Sequence, residues 1–480
     1  MSLNTRKIAS NAVWYMVALT LQKIISFVYF TLLARYLGPE DIGKYFFATS
    51  FVLIFAVFTD LGLSLLLTRE VAKKEDSNQL VSQVVSLKIL TSLVVMVALI
   101  FIAPLIVHDT TGLILVLLAA AAMILDGFTL IFYAAIRGRQ SLGYESIATI
   151  IHQAIILTVG LVLMSRNADV VWLMTALVIA STFNFLYSMA VLRFKADFHL
   201  HLLWHMPLIR TITVTIIPFA LAAIFTRIYA YIDSVLLKVL LDDQAVGLYS
   251  IAYKATFAFQ FIPLAFVASL YPAFSYYWSH NREQLSQVLS RAIYFLLITS
   301  IPIAACLASV APALVPALYT ESFRPSVLPL QILLSTLPFL FINFPLGYLL
   351  NAINLQGKQT KILGLTMVYN IIANLILIPL LGPTGAAIAS STGTVIAFIF
   401  SWRLVSKQVS VDKSLRLATM KILALGLGMV ILNTVLLPYI HWLAVTAISL
   451  ILYAGGLAVL KLITKDDAQY FLSLLKKQRI

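Results

Sequence analysis

Seven ionisable side chains lie inside long apolar stretches of this 480-residue chain: the cations Lys23, Lys88, Arg227 and Lys254, and the acids Asp60, Asp126 and Asp233. A charge near the centre of a bilayer costs about 2.5–3.5 kcal/mol even on insertion scales, so each must bind, move or neutralise something. Lys23 and Arg227 carry the sharpest chemistry, because both fall in mid-span and stand 204 residues apart. Arg offers a planar bidentate fork and Lys a compact point charge; two such cations across a cavity would hold a diphosphate. Lys88 and Lys254 lie nearer a membrane face, where they would join as substrate contacts or snorkel to the interface. The acids admit two readings. Paired with the cations they neutralise charge inside the helix bundles. Facing a water path, they would load and release H+ or Na+ and couple transport to an ion gradient. Asp60, just before Leu61-Gly62, also suits a local capping role. Four cations against three acids favour an anionic ligand.

Other chemistry is thin. Cys306 is the single cysteine, which excludes an intramolecular disulfide framework and any cysteine-built metal site. His201 and His205 share a face at i, i+4 if their segment is helical, but with His199 they sit on a Phe- and Trp-rich stretch that reads as surface, so no metal site is expected. No G-x-x-x-x-G-K-[ST] loop occurs, which argues against ATP hydrolysis. Tyr229, Tyr231, Tyr253 and Tyr276 would stack on sugar rings or fill helix contacts. Pro218, Pro263, Pro302 and Pro345 fall inside apolar runs and would kink them.

What positions these groups must be a membrane. Hydrophobic residues make up 61% of the chain and charged ones 11%, with a mean hydropathy of +0.98, whereas a soluble domain is roughly 45–50% apolar and about 25% charged. Fourteen apolar runs fall at 10–34, 44–68, 80–107, 112–136, 145–165, 169–192, 212–239, 246–273, 290–318, 326–352, 360–381, 384–406, 416–438 and 442–463, each near the ~20 residues a spanning helix needs. With the N-terminus inside, twenty-four of the 33 Lys and Arg fall on inner segments, and only Arg35, Lys44, Arg166, Lys238 and Arg324 on outer ones. That asymmetry predicts an all-α polytopic protein with N-in/C-in topology. The net charge of +14 is thus explained by cytoplasmic loops facing anionic lipid, not by nucleic acid. Residues 196–211 read as a cytoplasmic interfacial segment, with Phe198, Leu202, Leu203 and Trp204, and the tail 465–480 as a surface helix.

The chain repeats itself. Leu37-Gly38-Pro39-Glu40-Asp41-Ile42-Gly43-Lys44-Tyr45 lies over Leu241-Asp242-Asp243-Gln244-Ala245-Val246-Gly247-Leu248-Tyr249 at the offset of 204 that also relates Lys23 to Arg227. Six spans separate the copies, so the halves share one orientation. The expected organisation is a six-helix bundle over 1–195, the segment 196–211, a second six-helix bundle over 212–408, and helices 13 and 14 over 409–464 before the tail. These turns, with Asp60-Leu61-Gly62-Leu63, Arg69-Glu70, Arg227-Ile228-Tyr229, Asp233, Gly247 to Tyr253 and the Pro379 to Ala389 stretch, resemble the polysaccharide flippases of the MOP exporter superfamily, the Wzx-type translocases. The resemblance implies a multi-pass protein of the cytoplasmic membrane that moves a polyprenyl-pyrophosphate-linked oligosaccharide between leaflets by alternating access. It implies no cofactor and no enzymatic step, and a polymerase or chain-length regulator as partner. Two alternatives stay open: an ion-coupled multidrug antiporter of the same superfamily, which wants an acidic cavity, and a polytopic polysaccharide polymerase, which wants larger outer loops than Asp242-Asp243 provides.

Overall fold

The computed structural model describes residues 5–73, 77–139, 141–204, 206–412 and 414–462, with side chains from residue 18 except over 206–219. The expected tail helix after Lys465 lies outside the described residues, as do Lys74, His205, Lys413 and the side chains of Arg6, Lys7, Arg210 and Pro218. All regular structure among the described residues is helical. Twelve helices are long and apolar enough to cross a membrane, or thirteen when one bent pair is taken as a single span. Contacts divide the chain into two units, one up to Gly247 and one from Leu248.

The first unit opens with α1 (Thr5–Asp60), whose 56 residues would measure about 84 Å, far beyond a ~30 Å hydrocarbon core. It therefore breaks, at Gly38 (φ 76°, ψ 178°), a backbone conformation that glycine adopts without a Cβ clash. Pro39 follows at the start of the second arm, where its missing N–H costs nothing. The two arms are the first and second apolar runs. The second run stops sooner than its composition suggests: Leu61 (φ 45°) and Gly62 (φ 90°) turn left-handed before α2 (Leu63–Val71). Then come α3 (Asn78–Ile106), α4 (Thr110–Gly138), α5 (Leu142–Ser165), α6 (Val170–Phe194) and α7 (Met206–Leu240). Small residues bring α4 and α6 together: Ala119, Ala120, Ala122, Ala176 and Ala180 are all buried. In lipid, where burial of apolar surface drives little, such close backbone packing holds helices together. Leu67, Val84, Ile131, Leu192 and Phe198 form a core at one end of the unit.

The interfacial segment is not helical over 197–204, so the i, i+4 face expected for His201 and His205 does not arise there. It is a strap along α3. The His199 N–H donates to Asn78 Oδ1 (3.1 Å), the His201 N–H to Ser82 Oγ (3.2 Å) and the Leu203 N–H to Ser86 Oγ (3.0 Å). The register has a simple cause. Two residues of extended chain advance about 6.6 Å and four residues of α-helix about 6.0 Å, so alternate amides meet every fourth side chain. Phe198 is buried under the Arg139 guanidinium at 4.1 Å, while Phe194, Leu202 and Trp204 stay exposed.

The second unit takes most of α8 (Asp243–Phe257), then α9 (Phe261–His280), α10 (Arg282–Tyr319), α11 (Val327–Ser335), α12 (Leu337–Ala352), α13 (Gln356–Leu381), α14 (Pro383–Ser406), α15 (Ser414–Leu436) and α16 (Trp442–Val459). The segments 321–335 and 337–352 meet at 41°, forming the bent pair. Pro302 and Pro345 lie inside α10 and α12, whereas Pro263 sits in the first turn of α9, where proline is tolerated. Both terminal helices pack on α10, through a core that includes Leu297, Ile422, Met429, Tyr453 and Leu457.

Candidate functional site

The charges fall into two kinds. Lys23 on α1 and Arg227 on α7 are both exposed, and the helices that carry them pack together. Arg227 sits one turn before Tyr231 and hydrogen-bonds its hydroxyl, which fixes the base of the guanidinium fork.

Lys88 is placed differently. It is fully buried, and its ammonium donates to the Thr59 carbonyl (3.0 Å) and hydroxyl (2.8 Å) at the end of α1. It lies flat against α4 at Gly127, where a Cβ would come within 2.8 Å of Nζ. In this arrangement its charge ties α3 to α1 and α4. Asp60 is close enough to act on Lys88 through space, but its hydrogen bonds go to its own turn. It accepts from the Gly62 N–H (3.3 Å), the Ser64 N–H (3.3 Å) and the Ser64 hydroxyl (3.0 Å). This is the capping geometry the Gly62 turn demands. Asp126 is half-buried at the middle of α4, beside Ser181 of α6. Two turns on, the Tyr133 hydroxyl donates to Asn184 at 2.8 Å across the same helix pair. Asp233 is buried in α7, and Lys254 is half-buried in α8.

The turns that bear the internal repeat carry a charge group that the sequence reading used only for topology. Lys238 Nζ lies 2.6 Å from Asp243 and 3.7 Å from Asp109. Lys44 pairs with Glu40 (2.8 Å) and Asp41 (3.2 Å). In the second unit, an uncharged polar seam runs between α12, α13 and α14, likewise missed because scattered Asn, Thr and Tyr residues in long apolar runs carry no charge to mark them. Asn343 donates to the Thr394 carbonyl (3.2 Å), Tyr369 to Thr392 (2.9 Å) and Asn374 to the Asn370 carbonyl (2.9 Å).

The family model described as polysaccharide biosynthesis protein matches residues 8–278, and the MatE model matches residues 218–380. The chain is 20% identical to the probable low-salt glycan biosynthesis flippase Agl15 of Haloferax volcanii, over 81% of each protein. Its fold is similar to that of the lipid II flippase MurJ in an inward closed conformation, with a TM-score of 0.76 at 17% identity over 93% of this chain and 98% of that one. It is also similar to an inward-facing multidrug resistance MATE family transporter of the MOP superfamily, with a TM-score of 0.69 at 14% identity over 81% and 95%.

Proposed function

The chain belongs to the polysaccharide biosynthesis protein family, and on that premise we propose that it flips a polyprenyl-pyrophosphate-linked oligosaccharide across the cytoplasmic membrane by alternating access. The product feeds assembly of a cell-surface polysaccharide or glycan. The reading rests most heavily on one observation: Lys23 and Arg227 are accessible, mid-span, related by the internal repeat and carried on two helices that pack together. A diphosphate headgroup needs that pairing of a point charge with a fork. The flippase name of the Haloferax volcanii relative and the MurJ-like fold support the same substrate class. The work is transport without an enzymatic step or a cofactor. Asp126, half-buried with Ser181 beside it, is the acid best placed to exchange H+ or Na+ during the cycle. A polymerase or chain-length regulator would receive the product.

The test is flipping of a fluorescent polyprenyl-pyrophosphoryl oligosaccharide in proteoliposomes. Removing either cation takes away hydrogen bonds worth about 1.5–3 kcal/mol each to a charged group, so Lys23→Ala and Arg227→Ala are expected to slow flipping at least about tenfold. Arg227→Lys, which keeps charge but loses the fork, falls between. Full-rate flipping by both Ala variants, with protein folded and inserted, overturns the cation assignment. The match of residues 218–380 to the MatE model favours multidrug antiport as the second reading. Efflux of an organic cation by wild type, with no flipping of the glycolipid, would establish that reading instead.

A further inference from the structure

Three prolines stand inside α10, at 302, 312 and 316. A proline has no N–H, so each leaves the carbonyl four residues earlier without its helical donor. For Pro302 that carbonyl belongs to Ile298, and for Pro312 to Ala308. Both are met from outside the helix. The Tyr453 hydroxyl of α16 donates to the Ile298 carbonyl at 3.1 Å, and the Gln331 side-chain amide of α11 donates to the Ala308 carbonyl at 2.8 Å. The match is selective. Pro104, Pro272, Pro345 and Pro379 free the carbonyls of Ile100, Ala268, Phe341 and Leu375 in α3, α9, α12 and α13, and among the described residues no side chain donates to these.

We propose that α16 and α11 splint α10 at its two proline bends, with Tyr453 and Gln331 as the positioning residues, and that transport depends on the shape so fixed. The last clause rests on the transport reading above. Three observations carry the proposal. First, hydrocarbon offers no water to satisfy a freed carbonyl, so a donor from a neighbouring helix decides whether each bend is stable. Second, Tyr453 is buried, where phenylalanine would fill the same space, and its hydroxyl is spent on the Ile298 carbonyl. Third, that hydrogen bond belongs to a row. The Ser286 hydroxyl donates to the Ser410 carbonyl, the Asp412 N–H to the Ser290 hydroxyl (3.0 Å) and the Tyr294 hydroxyl to the Leu462 carbonyl. With Ile298, these points recur at every fourth residue along one face of α10. Beyond the bend, Asn433 of α15 donates to the Ser309 hydroxyl at 2.8 Å. Residues 410 and 412 precede α15 and Leu462 follows α16, so the pair is tied to α10 at both of its chain ends and along its length. The 38 residues of α10 measure about 57 Å at 1.5 Å per residue. Pro302 sits near the middle, so the angle held there sets where each arm points.

The test is a double-mutant cycle on the full-length protein. Tyr453→Phe keeps the ring and removes the hydroxyl. Pro302→Ala gives residue 302 back its N–H, so the Ile298 carbonyl regains a helical donor and no longer needs Tyr453. In the wild-type background, Tyr453→Phe is expected to lower the melting temperature of the purified protein by several degrees. It is also expected to slow flipping about fivefold, the worth of one ordinary hydrogen bond. In the Pro302→Ala background it is expected to change neither. An equal loss in both backgrounds, or no loss in either, overturns the splint, since Tyr453 would then serve as packing alone. Gln331→Met with Pro312→Ala is the parallel cycle, and it carries the test if a variant of the first cycle fails to accumulate. Melting that is coupled as stated, with flipping unchanged by Tyr453→Phe, overturns the dependence of transport on the shape of α10. A wild type that moves no glycolipid while its melting is coupled as stated sinks the substrate assignment and leaves the splint standing, and the cycle is then read on efflux of an organic cation.

Discussion

At the scale of single residues, an intramembrane charge is informative only once its surroundings are known. Lys23 and Lys88 look alike in the sequence, since each is a lysine in an apolar run. One is exposed, while the other gives two of its three N–H donors to Thr59 and is walled in by Gly127. The expected consequence is a clean split between variants. Lys88→Met lowers the stability of the detergent-solubilised protein by about 3–6 kcal/mol, because two hydrogen bonds from a charged donor are lost, each worth about 1.5–3 kcal/mol. Flipping per folded molecule stays near wild type. Scanning fluorimetry alongside the flipping assay checks this, and a stable but inactive Lys88→Met would move that lysine back onto the substrate path.

At the scale of elements, breaks in the helices matter as much as the helices themselves. The α1 break at Gly38 and the left-handed Leu61-Gly62 step divide one long apolar stretch into arms that fit a bilayer, with Asp60 holding the second break in shape. The strap over 197–204 is the least obvious element, since its docking partners Asn78, Ser82 and Ser86 look like ordinary small polar residues of a membrane helix. Each lost hydrogen bond there is worth about 1 kcal/mol. The pair Ser82→Ala and Ser86→Ala should therefore free the strap, and limited trypsin digestion should cut after Lys195 faster than in wild type while the helix bundle survives. Equal cutting rates would mean that Phe198, Arg139 and the remaining Asn78 hydrogen bond hold the strap.

At the scale of the whole molecule, the described residues hold twelve helices long and apolar enough to span a membrane, or thirteen with the bent pair, the first of them divided by Gly38, against fourteen predicted runs. The sidedness assigned from Lys and Arg is tested by single cysteines in a Cys306→Ser background. Asn167, in the turn after α5, is expected to react with an impermeant maleimide from outside, and Arg139, in the turn after α4, only after the membrane is opened. The opposite pattern would invert the topology.

The sequence by itself determined that this is an all-helical membrane protein with an internal repeat at an offset of 204, because spanning length, loop charge and repeat spacing are all local or periodic properties of a linear string. It also singled out seven charges as candidates for the chemistry. Which of those charges remain accessible, and which are consumed by packing, only the tertiary structure decided. Lys88 meets Thr59 across 29 residues, and Gly43 meets Asp243 across 200. No propensity or hydropathy window reaches that far, and a glycine that matters for what it admits from another segment leaves the same letter as one that matters only for its own turn.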